Sequence, residues 1–281
     1  MKLGAHVSIS KGYIHALEKV NEMGGNTLQI FSSSPRGWNF ARVEEETISL
    51  FRTTKDRLNI DPVYFHASYL INLANPGRGG ELSQNSLIHE LKLASRLGIK
   101  GSIVHVGSLK AVETIPSENI DKYADVIVAL KKILSQTPVD TFLMIENAGN
   151  KKIGKDLGEI ATLIDSVDDP RLRVCLDTCH LYSAGYDLSS EKKLENFLQA
   201  FDTLIGLEKL EVIHTNDSRD PFNSGRDRHA NLGQGTLTLE PFRLLLTHPK
   251  TRHLPFIIET PGFDDQGPDK QNVDILKGLI T

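Results

Sequence analysis

Nine residues of this chain have side chains suited to holding metal ions: His66, His105, Glu146, Asp177, His180, His214, Asp227, His229 and Glu259. Six of them close short apolar runs. His66 ends Val63–His66, His105 ends Ser102–His105 and Glu146 ends Phe142–Glu146. Asp177 ends Arg173–Asp177, His214 ends Glu211–His214 and Glu259 ends Phe256–Glu259. Asp, Glu and His make up about a sixth of the chain, too few for six such ends in succession to be expected by chance. Each follows Val, Ile, Leu, Phe or Met, so its backbone should be rigid, and a site on rigid elements keeps its geometry. His180 comes just after Asp177 in the tetrapeptide DTCH. Asp227 and His229 lie in a connection running from Thr215 to Gln234, far longer than the roughly two to six residues usual in such folds. A loop of that length is functional or disordered, and its ligand residues favour function.

Five imidazoles and four carboxylates suit zinc, with Mn²⁺ or Fe²⁺ as alternatives at one site; magnesium and calcium prefer all-oxygen shells. At three or four protein ligands per catalytic zinc, the nine serve two or three metals. A single histidine at a strand end is usually a hydrogen-bonded polar residue, so the set carries the reading rather than any one member. His6 also ends a strand and reads as either supporting the ligands from behind or lining the site. His15, His89, His248 and His253 fall in helices or their flanks and read as structural. Cys175 reads as core, and Cys179 as a neighbour of the ligands rather than one of them. Gly77-Arg78-Gly79-Gly80 is either a phosphate-binding turn or a plain turn before a helix.

The elements that would position these residues alternate. Strands at Leu3–His6 and Thr27–Phe31 join the six runs above. Helical periodicity covers about Tyr13–Met23, Val43–Leu58, Glu81–Leu97, a segment after Pro116-Ser117, Asp156–Val167, Glu191–Ile205, Leu239–Leu246 and Lys270–Leu279. Eight strands each followed by a helix predict an α/β fold, a single (β/α)₈ TIM barrel over residues 1–281 with its site at the C-terminal ends of the strands. A doubly wound open sheet is the alternative. It would call for a glycine-rich phosphate turn after the first strand, and Ser8-Ile9-Ser10-Lys11-Gly12 is not one.

No apolar run reaches the roughly 18 to 20 residues of a membrane span, and no signal peptide is evident. The only two cysteines, Cys175 and Cys179, form no disulfide framework. These features predict a cytoplasmic protein. The formal net charge of −4 would disfavour a nucleic-acid partner, but three Zn²⁺ would add six positive charges and bring it to +2, all in one cleft.

The motifs GAHVS at Gly4–Ser8, HASYLINLA at His66–Ala74, HVGS at His105–Ser108 and ENAG at Glu146–Gly149 form one series. DTCH at Asp177–His180, HTNDS at His214–Ser218, GRDRHANLG at Gly225–Gly233 and ET at Glu259–Thr260 complete it. In this order they closely resemble the endonuclease IV family of apurinic/apyrimidinic endonucleases, over nearly the whole chain. The resemblance implies a barrel with three Zn²⁺ held by the nine residues above. It implies that Glu146 bridges two metals, one completed by His66 and His105 and the other by Asp177, His214 and Glu259, and that His180, Asp227 and His229 hold the third. It implies zinc-dependent hydrolysis of the phosphodiester 5′ to an abasic site in double-stranded DNA. Glu146 and Glu259 serve catalysis, Glu146 aligning a hydroxide, and 3′-end cleaning accompanies incision in base excision repair. It also implies that Arg36, Tyr69 and Leu70 enter the duplex at the lesion. The chain departs from the pattern at Val106 (proline expected), Thr215 (leucine expected) and Asn150. None is a ligand, so any consequence falls on substrate preference. No organic cofactor is expected, and with no exposed apolar helix the chain reads as a monomer.

Two other classes compete. A sugar isomerase or epimerase on a similar barrel uses one or two metals and has no use for His180, Asp227 and His229 as a third cluster. A zinc-stabilised lesion-binding module would keep Arg36, Tyr69 and Leu70 but needs no open coordination position.

Overall fold

The computed structural model describes residues 1–38, 40, 42–109 and 121–280. The barrel opens with β1 (Lys2–His6), β2 (Thr27–Phe31), β3 (Val63–His66) and β4 (Gly101–Val104). It continues through β5 (Phe142–Glu146), β6 (Leu172–Asp177) and β7 (Leu210–His214). Two short strands, β8 (Asp217–Ser218) and β9 (His229–Ala230), pair antiparallel beside it, and β10 (Pro255–Ile258) is the eighth barrel strand. β1 pairs in parallel with both β2 and β10, so the sheet closes on itself. The open doubly wound alternative is excluded and the TIM barrel holds.

Helices α1 (Tyr13–Glu22), α2 (Glu45–Arg57), α3 (Arg78–Leu97), α4 (Ala124–Ser135) and α5 (Leu157–Val167) follow the first five strands. After them come α6 (Thr178–Ala184), α7 (Glu191–Leu204), α8 (Glu240–Thr247) and α9 (Lys270–Gly278). The Pro116-Ser117 start expected for the fourth helix lies outside the described residues. Gly77–Gly80 turns directly into α3, which begins at Arg78. No helix among the described residues is long and apolar enough to cross a membrane.

Side chains alternate across a strand with a period of two. Tyr64, Ile103, Met144, Cys175, Val212 and Ile257 pack together, fully buried, inside the barrel. The next residues, Phe65, Val104, Ile145, Leu176, Ile213 and Ile258, belong to the larger core beneath the helices. One step further the chain points inward again, at His66, His105, Glu146, Asp177, His214 and Glu259. Regular pairing stops at Val104 and Ile258, so His105 and Glu259 stand one residue beyond their strands. The alternation still carries them to the same end. Gly4 is required on β1, because a Cβ there would lie 1.8 Å from the Thr27 carbonyl oxygen.

Outside the barrel wall, Glu90 of α3 accepts hydrogen bonds from Ser32 just past β2 and Ser102 of β4. Burial pushes its carboxyl from 4.5 to about 7, against the pull of the two hydroxyls. Ionising Glu90 is therefore harder in the folded chain than in the unfolded one. Its contribution to stability is complete below pH 4.5 and is lost as the pH rises through about 7. Replacing Glu90 by Gln should shift the stability difference in the variant's favour by about 2–3 kcal/mol between pH 5 and pH 8, read by urea denaturation. A difference that stays constant with pH would show that Glu90 is ionised throughout.

Candidate metal centre

At the C-terminal ends of the strands all nine expected ligands line one cleft of about 510 Å³ or its floor. Glu146 is completely buried and lies at the centre. Its Oε2 is 3.1 Å from His66 Nε2 and 3.2 Å from His105 Nε2. Its Oε1 is 3.2 Å from both His214 Nδ1 and His180 Nδ1. His214 Nδ1 also faces Glu259 Oε2 at 3.4 Å and Asp177 Oδ2 at 3.8 Å. Two sets of donors therefore converge within 4.8 Å: His66 with His105 and Glu146, and Glu146 with Asp177, His214 and Glu259.

The third expected set gathers around Asp227, whose Oδ1 lies 2.8 Å from His180 Nε2 and 3.6 Å from His229 Nε2. The contacts also cross between sets. His105 falls within range of His180 and Asp227, and His229 within range of Asp177 and Cys179. The Cys179 thiol points at the Arg228 carbonyl at 3.8 Å, and burial pushes it up to about 12.

The imidazoles are oriented as metal ligands would be. His66 Nδ1 has the Ala67 carbonyl at 2.9 Å, His180 Nδ1 the Asn147 carbonyl at 3.0 Å and His229 Nδ1 the Glu259 carbonyl at 3.3 Å. His214 Nε2 has the Gln29 side-chain oxygen at 2.7 Å. When a ring N–H donates to such an oxygen, the other nitrogen presents its lone pair to the cleft, the arrangement that fixes tautomers at metal sites. His105 Nδ1, His180 Nε2 and His229 Nε2 are buried with no hydrogen-bond partner among the described residues. His180 Nε2 and Asp227 Oδ1 are close without hydrogen-bond geometry, as two donors aimed at a common third point would be. The donor set fits several divalent cations.

The electrostatics agree. Burial by itself would push Glu146 up, but His105, His214 and His180 hold it well below the usual carboxylate range. Glu259 is held down in the same way, against its own burial, by His214, His6 and His66. Burial drives His105 down to about 3, against the pull of Glu146. His180 is held well above its ordinary value because Asp177 and Asp227 outweigh its burial.

Local sequence explains the placement. Asp177 caps α6 by accepting the His180 backbone N–H at 2.9 Å. DTCH is thus a strand end and a first helical turn, which brings His180 back over the barrel. The long loop is an ordered hairpin, with Asp217 opposite Ala230 and Ser218 opposite His229. The buried Asp217 carboxylate accepts N–H bonds from Gly233, Gly235 and Leu237 at 3.0 Å each. Gly235 must be glycine, since a Cβ would sit 2.3 Å from Asp217 Oδ1.

Three supporting residues were not among the expected site residues. Gln29 donates to Glu259 Oε1 at 2.5 Å, lies 2.8 Å from His6 Nδ1 and accepts from His214. Asn147 accepts the Asp177 N–H at 2.6 Å. Asn216 donates to Asp177 Oδ2 at 2.6 Å and accepts the Glu259 N–H at 2.7 Å, tying three strand ends together. His6 lines the cleft as expected, 3.2 Å from Glu259 Oε1. On the rim, Tyr69 is 66 % and Leu70 39 % exposed. The Tyr69 ring stands edge-on to Phe31 at 5.4 Å, and Arg36 is exposed in the neighbouring loop. In the loop that carries Tyr69 and Leu70, Ile71 and Leu73 are the buried side chains.

Residues 17–279 match the family described as xylose isomerase-like TIM barrel. A protein from Persephonella marina named "Probable endonuclease 4" is 38% identical, over 100% of this chain and 97% of its own length. One of the same name from Thermosipho africanus is 36% identical, over 99% of each chain. The crystal structure of endonuclease IV from Thermus thermophilus superposes with a TM-score of 0.86 at 32% identity, covering 100% of this chain and 99% of that one.

Asn216 touches two expected ligands and is not one itself. Asn216→Ala should weaken retention of a divalent metal ion about 10- to 100-fold in competition with a chelator, at unchanged secondary structure. Retention equal to the wild type would show that Asp177 and Glu259 are positioned without it.

Proposed function

The chain belongs to the endonuclease IV family within the xylose isomerase-like TIM barrels, and from that premise we propose that it incises double-stranded DNA at abasic sites. The cut falls 5′ to the lesion and leaves a 3′-hydroxyl and a 5′-deoxyribose phosphate, with 3′-end cleaning as a companion activity in base excision repair. The chain acts as one domain and as a monomer, in the cytoplasm, with three Zn²⁺ and no organic cofactor. The observation that carries this reading is Asp227 standing 2.8 Å from His180 and 3.6 Å from His229, beside the two sets that share Glu146. A sugar isomerase or epimerase, which the barrel alone would accommodate, leaves that cluster without a role.

Phosphodiesters are among the slowest biological compounds to hydrolyse, and the barrier must fall by about 20 kcal/mol. A general base supplies roughly 3–5 kcal/mol of that, so most must come from charge stabilisation and positioning. Bound divalent ions would supply acidified water and neutralise charge on the phosphate and the leaving oxygen. The chain's part is to hold their ligands and orient the reactants. His66 and His105 would serve one ion, Asp177, His214 and Glu259 a second, and His180, Asp227 and His229 a third. Glu146, reaching the first two groups through different oxygens, would align the attacking water. Gln29 and Asn216 would keep Glu259 and Asp177 from rotating away. The exposed Tyr69 and Leu70, with Arg36 alongside, would wedge into the duplex. Unstacking costs a few kcal/mol at an intact step and less where a base is already missing, so the lesion is the cheapest place to open.

Three outcomes are expected. A duplex with one abasic site should be incised 5′ to the lesion without added magnesium, and Glu146→Gln should abolish the cut; intact DNA from a fully metallated sample would refute the reading. Metal analysis should find close to three zinc ions per chain, whereas one per chain favours the isomerase. Tyr69→Ala should reduce discrimination between abasic and intact duplex while zinc content stays constant, and zinc loss would make Tyr69 a structural residue.

A further inference from the structure

Beside the metal cleft lies a second, larger cavity of about 680 Å³ that shares His6, Phe31, Gly267 and Pro268 with it. One wall is a stripe of α1 and the turn before it: Lys11, His15, Lys19 and Met23, each four residues apart. Four residues advance a helix by slightly more than a full turn, so His15, Lys19 and Met23 share one flank, beside the buried face of Tyr13, Ala16, Leu17 and Val20, while Lys11 stands in the turn before Gly12. The rest of the lining includes Ser8, Ser10, Ser33 and Ser34, with Pro35, the neighbour of Arg36. Among the described residues no Asp or Glu lines this cavity, in a chain of formal charge −4. Among the described residues neither Lys11 nor Lys19 makes an ion pair. Val7, Ile9 and Phe31 give the groove apolar patches among the polar groups.

From Tyr13, where α1 starts, to Lys19 the helical wall runs about 9 Å at 1.5 Å per residue, and Lys11 in the preceding turn extends it. Along one strand of a duplex phosphates advance about 3.4 Å per nucleotide, so that length spans roughly three. We infer that this groove binds the phosphodiester backbone of one DNA strand over about three nucleotides on one side of the metal cleft, with Lys11 and Lys19 on the phosphates. The inference rests on the DNA reading above. Unpaired cations, hydroxyl donors and the absence of carboxylates fit a polyanion. Continuity with the metal cleft makes that polyanion the substrate strand.

The test is equilibrium binding of a labelled duplex with one abasic site, in the zinc-loaded Glu146→Gln background that leaves the duplex intact. Lys11→Ala with Lys19→Ala should flatten the slope of log Kd against log salt by about two, near 0.9 per lost phosphate contact. Affinity at low salt should fall roughly tenfold. Lys11→Arg with Lys19→Arg should restore both. Trimming the duplex close to the lesion on one side should erase the difference, and trimming the other side should not. An unchanged slope with lesion binding intact would overturn the groove and leave the DNA reading standing. No preference for abasic over intact duplex in the parent protein would overturn the DNA reading, and the groove with it.

Discussion

Four carboxylates share one buried cleft, and that fact constrains everything around it. Glu146 and Asp177 have no exposure to solvent, and Glu259 and Asp227 have little. A buried anion is costly unless opposite charge or hydrogen-bond donors surround it. In the chain alone, imidazoles provide the compensation, and their pull holds Glu146 and Glu259 well below the usual carboxylate range. Divalent cations would do the same more strongly, displacing protons from the same nitrogens, because metal ligands must be deprotonated. The cleft is therefore built around positive charge. With the three proposed Zn²⁺ bound, six positive charges would outweigh the four carboxylates, and a phosphodiester would fit the cleft.

The barrel meets that constraint through period-two alternation. An inward apolar residue, an outward one and then an inward ligand recur on β3, β5, β6 and β7, and just beyond β4 and β10. The interior layer from Tyr64 to Ile257 fills the barrel directly beneath the ligands. A close-packed layer there leaves the ligands no room to sink, so their heights are set by the strands. Hydrogen bonds from ring nitrogens to backbone carbonyls then fix ring rotation. Height comes from the fold and rotation from local chemistry, and both are needed before nine side chains can converge.

Much of this was legible in the sequence. The ligand-bearing strand ends could be read because His, Asp and Glu after Val, Ile or Leu stand out. Gln29 could not be read in the same way. It sits mid-strand in Thr27–Phe31 and is no metal ligand by type, yet an amide at an inward position among apolar neighbours was the available signal. Asn147 and Asn216 lie within two residues of ligands, but their work lies in contacts across strand ends that only the closed barrel creates. The helix α6 was missed because seven residues give no usable periodicity. The grouping of ligands was beyond sequence spacing. His180 and Asp227 are 47 positions apart and meet because a capped helical turn and a hairpin lean over the same opening.

Those two add-ons separate this chain from a generic metal barrel. Strand ends supply Glu146 and the residues on either side of it, a scaffold that many barrels could share. The third cluster needs backbone that leaves the barrel and returns, which is why it lies on a first helical turn and a hairpin. Such elements are compliant unless tied, and Asp217, holding three backbone N–H groups across the hairpin's return, is the tie. Among the described residues Tyr69 and Leu70 on the rim carry no such tie beyond Ser68, whose hydroxyl accepts the Leu70 N–H at 3.2 Å and donates to the Pro35 carbonyl at 2.7 Å. That difference is physically sensible. Side chains that would hold ions must not move relative to one another, whereas side chains proposed to enter a distorted duplex must adapt to it.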